Sequence, residues 1–164
     1  MSTKDLYDYK YFKASKYYQT DLERMSLVLL EIAKLKPKRV LDVGCGWGTL
    51  VEILRLCRIK AVGIDYAPDL RSIWRTKKYF KVADAKAIPS PKKWKYDVVI
   101  SMDFWEHIPE EDIDQVLSEM KRVGKVILAV IDFERQLTEE QEKYHVTNKS
   151  KTWWTKKLKG VRIL

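Results

Sequence analysis

Asp103, Glu106 and His107 fall within five consecutive residues, Asp103-Phe104-Trp105-Glu106-His107. Two carboxylates and an imidazole at that spacing can accept, donate or relay a proton. The chain has only one other histidine, His145. A second acidic set is spread along the chain. Asp42 precedes the turn Gly44-Cys45-Gly46-Trp47-Gly48, Asp65 closes the apolar stretch that starts at Lys60, and Asp84 follows the short run from Phe80. Glycine allows a sharp turn and lets a ligand approach the backbone. A carboxylate placed about twenty residues beyond such a turn can accept the hydroxyl protons of a ribose. Asp84 could accept from an adenine amino group.

These residues are useful only if the elements between them bring them together. Leu22, Met25, Leu29 and Ile32 recur at helical spacing and predict a helix over 21–35, which Lys36-Pro37 ends. A buried strand is expected over 39–43, a helix over 49–56 and a second strand over 60–65. A short helix follows over 69–78, then a weak strand over 80–83 and a strong one over 96–101. A helix is expected over 110–122 and a fifth strand over 125–131. A helix over about 149–159 and a strand over 161–164 finish the chain. His145 lies about fourteen residues past the fifth strand, so both histidines could face one crevice.

The strands are continuous apolar runs rather than alternating ones, as expected when both sheet faces are covered. Their alternation with helices predicts an α/β fold: a doubly wound, mostly parallel sheet with helices on both faces. Ligands in such sheets bind beyond the carboxyl ends of the strands, which is where the acidic residues fall. A dinucleotide site would prefer G-x-G-x-x-G. Here the third glycine comes one place early and Asp42 precedes the turn, which suits a ligand with a cationic amino-acid end.

Four segments, RVLDVGCGWGTLVEILR, GIDYAPDL, VADAKAIP and YDVVISMDFWEHIPEED, resemble class I S-adenosylmethionine-dependent methyltransferases. The order and spacing of the four hold over roughly residues 38–131, and the motifs are nearest to those of small-molecule and glycan-pathway members. The resemblance implies S-adenosylmethionine as cofactor and a Rossmann-like fold. It further implies that Asp42, Gly44, Cys45 and Gly46 line the methionine part. Asp65 would hold the ribose, with Tyr66 beside the adenine, and Asp84 and Ala85 would read the adenine edge. Ser101 and Met102 would touch the methionine end through their backbone.

The acceptor is left to Asp103, Glu106, His107 and His145, as general bases or as a helix-start structure. Amino-methyltransferases of DNA resemble one another in an Asn/Asp-Pro-Pro-aromatic motif, which DFWE replaces here. D-x-x-E-H-I-P is common in the small-molecule and glycan-pathway group. Small-RNA 2′-O-methyltransferases carry a similar E-x-x-E-H with a later histidine that together hold a divalent metal. Asp103 is shorter than their first glutamate, and no metal ligand set is assigned. The expected reaction is methyl transfer to oxygen or nitrogen of a small molecule or sugar intermediate. The alternatives are an RNA-directed ribose 2′-O-methyltransferase, with or without assistance from a metal, and an inactive nucleic-acid-binding module.

At the N-terminus, Tyr7 to Tyr18 is aromatic and lysine-rich and lies where the family places a cap over the cofactor; Tyr11-Phe12 resembles the pair found there in glycan-pathway members. At the other end, the segment 143–162 is basic, with Tyr144, Trp153 and Trp154 interleaved. Basic residues among aromatics can grip phosphate and stack bases, while the same tryptophans could be a helix's core face. The family normally ends in an antiparallel strand pair, and this sheet is expected to be shortened there. Either a homodimer covers the open edge, or a monomer places the last strand beside the fifth.

Composition bounds the rest. At 164 residues, one domain is expected, with a cap and helix over 1–36 and a cofactor-binding core over 37–164. With 46% hydrophobic and 34% charged residues, wholesale disorder is excluded. No apolar run reaches the roughly 20 residues of a membrane span, and no signal-peptide core is visible, so a cytoplasmic protein without membrane partners is expected. Cys45 and Cys57 form no disulfide framework and are expected to be reduced. A net charge of +9 favours polyanionic partners such as nucleic acid.

Overall fold

In a computed structural model of the chain, which describes residues 22–68, 70, 74, 76–89, 95–133 and 136–164, six apolar runs become strands: β1 (Arg39–Val43), β2 (Lys60–Asp65), β3 (Phe80–Val82), β4 (Tyr96–Met102), β5 (Gly124–Val130) and β6 (Val161–Ile163). They form one sheet in the order β3-β2-β1-β4-β5-β6, and every pairing is parallel. The expected antiparallel ending is therefore replaced. β6 lies beside β5 in parallel register, with Val161 opposite Ile127. The last strand thus lies beside the fifth, as one of the two expectations placed it. The aromatic segment Tyr7 to Tyr18 lies outside the described residues.

Successive strand residues point to opposite faces, so the four central strands each feed two cores. Leu41, Val43, Val99, Ile127 and Ala129 join one core. Val40, Val98, Ile100, Leu128 and Val130 join the other. Helices α1 (Leu22–Leu35) and α2 (Thr49–Leu56) cover the second face with Met25, Val28, Ile32, Leu50, Val51 and Leu54. The first face is covered by α3 (Ile113–Val123), through Val116, Leu117 and Met120, and by Trp154 of α5 (Lys151–Lys157). A single helical turn, α4 (Glu139–Glu142), precedes α5.

One local difference from the expectation has a simple cause. α3 begins at Ile113 rather than at 110 because Pro109 opens a turn, its carbonyl accepting from the Asp112 N–H at 2.9 Å. The helix expected over 69–78 falls mostly on residues outside the described set; Lys77–Tyr79 forms one 3-10 turn. α5 is capped by Ser150, whose side chain accepts from the Trp153 N–H. The buried Trp154 shows that this helix turns one aromatic face into the core. No helix among the described residues is long and apolar enough to cross a membrane.

Candidate active site

The strand order reverses direction between β1 and β4, and parallel sheets of this kind open a crevice there. A cavity of about 180 Å³ lies at that point. Gly44 and Gly46 after β1, Asp65 and Tyr66 at the end of β2, Asp84 and Ala85 after β3, and Met102 and Asp103 at the end of β4 all line it. His107, Lys86 and Asp112 complete its polar wall, with Phe104, Ile108, Pro109 and Val116 among the apolar lining.

The glycine turn is tied down from several sides. The N–H groups of Gly44 and Cys45 both donate to the Ile64 carbonyl, at 2.9 and 3.0 Å. Gly46 donates to an Asp65 carboxylate oxygen at 2.8 Å. Trp74 Nε1 donates to the Gly46 carbonyl at 2.9 Å while its ring stacks on Phe80 at 4.9 Å. The first and third glycines are demanded by the protein itself. Gly44 and Gly48 have φ of +75° and +81°, and a Cβ on them would meet Phe104 at 2.5 Å and Phe80 at 2.3 Å.

Asp65 accepts from Gly46 with one oxygen and from the Ala67 N–H with the other. A carboxylate has about four lone-pair sites, so it keeps acceptor capacity toward the cavity. Burial raises its pKa against the pull of those N–H groups. Asp84 caps the turn Ala85–Ala87, accepting from the Lys86 N–H at 2.8 Å. Lys86 then reaches across to Asp112, 2.9 Å away. These donors and acceptors suit a polar ligand carrying hydroxyls and a purine edge.

Five expected residues do not line the cavity: Asp42, Cys45, Ser101, Glu106 and His145. Asp42 is buried within β1, and burial together with the Asp65 charge lifts its pKa to about 7. Ser101 is fully buried, its hydroxyl accepting from Trp105 Nε1 at 2.9 Å. Cys45 has its thiol pushed well up by burial and by Asp65 and Asp42, so it stays protonated. Glu106 is fully buried. Its Oε1 accepts from the Asp132 N–H at 3.1 Å, and Oε2 has no hydrogen-bond partner among the described residues. Burial, then the Asp103 charge, raises Glu106 to about 8.

Asp103 and His107 remain at the cavity wall. Asp103, in a left-handed conformation with φ +50°, pairs with Arg24 of α1 at 2.6 Å. His107 has Nδ1 2.9 Å from the Tyr144 carbonyl. A carbonyl can only accept, so Nδ1 carries the proton and Nε2 is the ring's acceptor. Burial, then the nearby His145, lowers His107 to about 4 and keeps it neutral. The His145 ring meets it edge-on at 4.7 Å, so His145 supports His107 rather than lining the cavity. No group of three or more metal-binding side chains occurs among the described residues.

Arg24, Trp74, Lys86, Phe104 and Asp112 belong to the site without having been singled out from the sequence. Lys86 and Asp112 lie close to the recognised motifs, and their proximity to Asp84 and Pro109 was the available signal. Arg24 lies on α1, and Trp74 lies far along the chain from Gly46; only the tertiary structure brings either to the site.

A parallel sheet with an acidic residue at the end of each of the strands around a glycine turn defines a Rossmann-like ligand-binding domain. Residues 13–157 match the family described as methyltransferase domain, and the chain belongs to that family. The ubiquinone biosynthesis O-methyltransferase of Leptothrix cholodnii is 30% identical over 125 residues, 70% of this chain and 53% of that protein. That of Xanthomonas axonopodis pv. citri is 30% identical over 127 residues, with the same two shares, 70% and 53%. The chain thus spans about half the length of the curated relatives it matches. Among solved structures, the plantazolicin methyltransferase BpumL, in complex with a pentazolic desmethylPZN analog and SAH, has a TM-score of 0.69 at 19% identity, covering 91% of this chain and 67% of that one. The cyclase SpnF has a TM-score of 0.59 at 21% identity, covering 74% and 48%. At such identities the likeness is one of fold, and a fold can host several chemistries.

Proposed function

We propose that the protein transfers a methyl group from S-adenosylmethionine to an oxygen or nitrogen of a small molecule or sugar intermediate. One observation carries the reading. The glycine turn, Asp65, Asp84 and the neutral imidazole of His107 all border a single cavity at the carboxyl ends of the strands. The O-methyltransferase names of the curated relatives support an oxygen acceptor.

S-adenosylmethionine supplies an electrophilic methyl group in such a site, leaving the protein to provide position and electrostatics. Gly44 and Gly46 would hold its methionine part. Asp65 would accept from the ribose hydroxyls, and Asp84 and Ala85 would meet the adenine edge beside Tyr66. His107, with its proton fixed on Nδ1 by the Tyr144 carbonyl, would accept a hydrogen bond from the acceptor's hydroxyl or amine. A group lowered to about 4 is a weak base. It therefore orients the nucleophile and receives its proton as the new bond forms, rather than stripping it beforehand. Staying neutral, it adds no positive charge beside a cationic sulfonium.

Calorimetry with S-adenosylmethionine tests the cofactor half: saturable binding is expected, weakened at least ten-fold (about 1.4 kcal/mol) by Asp65→Ala. Absence of binding at millimolar cofactor would refute the reading. A screen with labelled cofactor over phenols, sugars, lipids and RNA tests the acceptor half, and label appearing in RNA alone would overturn it.

A further inference from the structure

The parallel sheet separates charge along the strand direction. Asp65 ends β2, and Asp84, Asp103 and Asp132 follow β3, β4 and β5 at the cavity end. At the other end, Lys38, Lys60, Lys95, Lys125 and Lys159 stand at or just before β1, β2, β4, β5 and β6, and all five are exposed. Contacts stitch this edge into one surface. The Lys60 N–H donates to the Lys38 carbonyl at 3.1 Å, Lys95 Nζ to the Lys121 carbonyl at 3.1 Å, and Gly160 lies beside the Lys121 side chain. Asp97 is the acid at the centre. Its carboxylate is already used by the N–H groups of Lys38 and Arg39 and by Lys125 Nζ.

We propose that this amino-terminal edge of the sheet docks a nucleic-acid backbone, at the end of the molecule opposite the cavity. Strands about 4.8 Å apart place the six strand starts in a row about 24 Å long. A row of point charges fits a phosphodiester chain, and the excess of +9 gives it long-range attraction. A lipid surface would be favoured by inserted apolar side chains. Among the described residues, Leu56, 84% exposed at the end of α2, is the large apolar side chain near this edge that stands that far out. Strands of five to seven residues span roughly 20 Å, so a backbone held here leaves the cavity open to a separate acceptor. Docking and methyl transfer are thus distinct properties.

Fluorescence anisotropy with labelled single-stranded RNA, duplex RNA and duplex DNA over a salt series tests the proposal. Micromolar or tighter binding is expected at 50 mM salt for RNA, DNA or both, with log K falling against log salt with a slope of about −3 to −5. Lys60→Glu with Lys121→Glu should lose at least ten-fold in affinity and flatten the slope by about 2. Lys143→Glu with Lys151→Glu makes the same change in net charge elsewhere and should stay within two-fold. If the reversed pair fails to fold, Lys60→Gln with Lys121→Gln should show the same ranking. No binding at 50 mM salt, equal losses in the two pairs, or capture by phosphatidylserine vesicles without nucleic-acid binding would overturn the proposal.

Discussion

The Arg24 guanidinium of the first helix lies 2.6 Å from the carboxylate of Asp103, the residue that follows β4 at the cavity wall. Both side chains are largely shielded from water, at 25% and 16% exposure. The pair locks α1 to the loop that carries His107. Arg24→Gln and Asp103→Asn should each destabilise the protein, and a double-mutant cycle by urea unfolding should show coupling on the order of 1 kcal/mol. Asparagine tolerates the left-handed backbone at Asp103, so the cycle reads the ion pair rather than strain. Strict additivity would mean that the contact carries no energy.

Glu106 makes a pH prediction. Its folded-state pKa, raised to about 8 from 4.5, means that the native state holds a proton the unfolded chain releases. Its contribution to stability is complete below pH 4.5 and is lost as pH rises through 8. Glu106→Gln keeps an acceptor for the Asp132 N–H without a charge to bury. Its melting temperature should match the wild type at pH 5 and exceed it at pH 9, by the equivalent of at least about 1 kcal/mol. A wild type that stays the more stable at pH 9 would contradict a buried neutral acid.

His107 has the opposite sign. Lowered from 6.5 to about 4, it is neutral when folded, so its contribution is complete above pH 6.5 and is lost as pH falls toward 4. With two histidines in the chain, ring-proton NMR with one variant assigns both. One histidine should titrate with a midpoint near 4. Two midpoints near 6.5 would show His107 to be solvated and outside the apolar wall.

Trp74 supports the glycine turn with a single N–H. Trp74→Phe retains a ring to stack on Phe80 but removes the donor to the Gly46 carbonyl. A stability loss of about 1 kcal/mol is expected, measurable by denaturant unfolding. Cofactor affinity should fall several-fold alongside it, because Gly46 also binds Asp65. Unchanged affinity would show that the turn holds its shape without the tryptophan.

Much of the framework was legible in the residues because its causes are local. Apolar runs bounded by Pro37, the glycine turn and charged stretches marked all six strands to within a residue, and aspartates at or just beyond their ends marked the cavity end. The third strand was weak in sequence and is short in the fold. Periodicity shows which face a residue turns inward, and so Trp154 could be weighed as core. It does not say which distant element meets that face.

The sequence by itself determined the glycine turn, the order of strands and helices, and the placing of Asp65, Asp84 and His107 at strand ends. Backbone sterics and side-chain periodicity act over a few residues and need no partner. Only the tertiary structure decided that Arg24 would hold Asp103, that Lys86 would reach Asp112, that His145 would back His107, and that Glu106 would turn away from the cavity into the protein interior. Those outcomes depend on the sheet order and on the 3-10 turn Trp105–His107. Together they set which of two neighbouring acids reaches the cavity and which gives up its charge to burial.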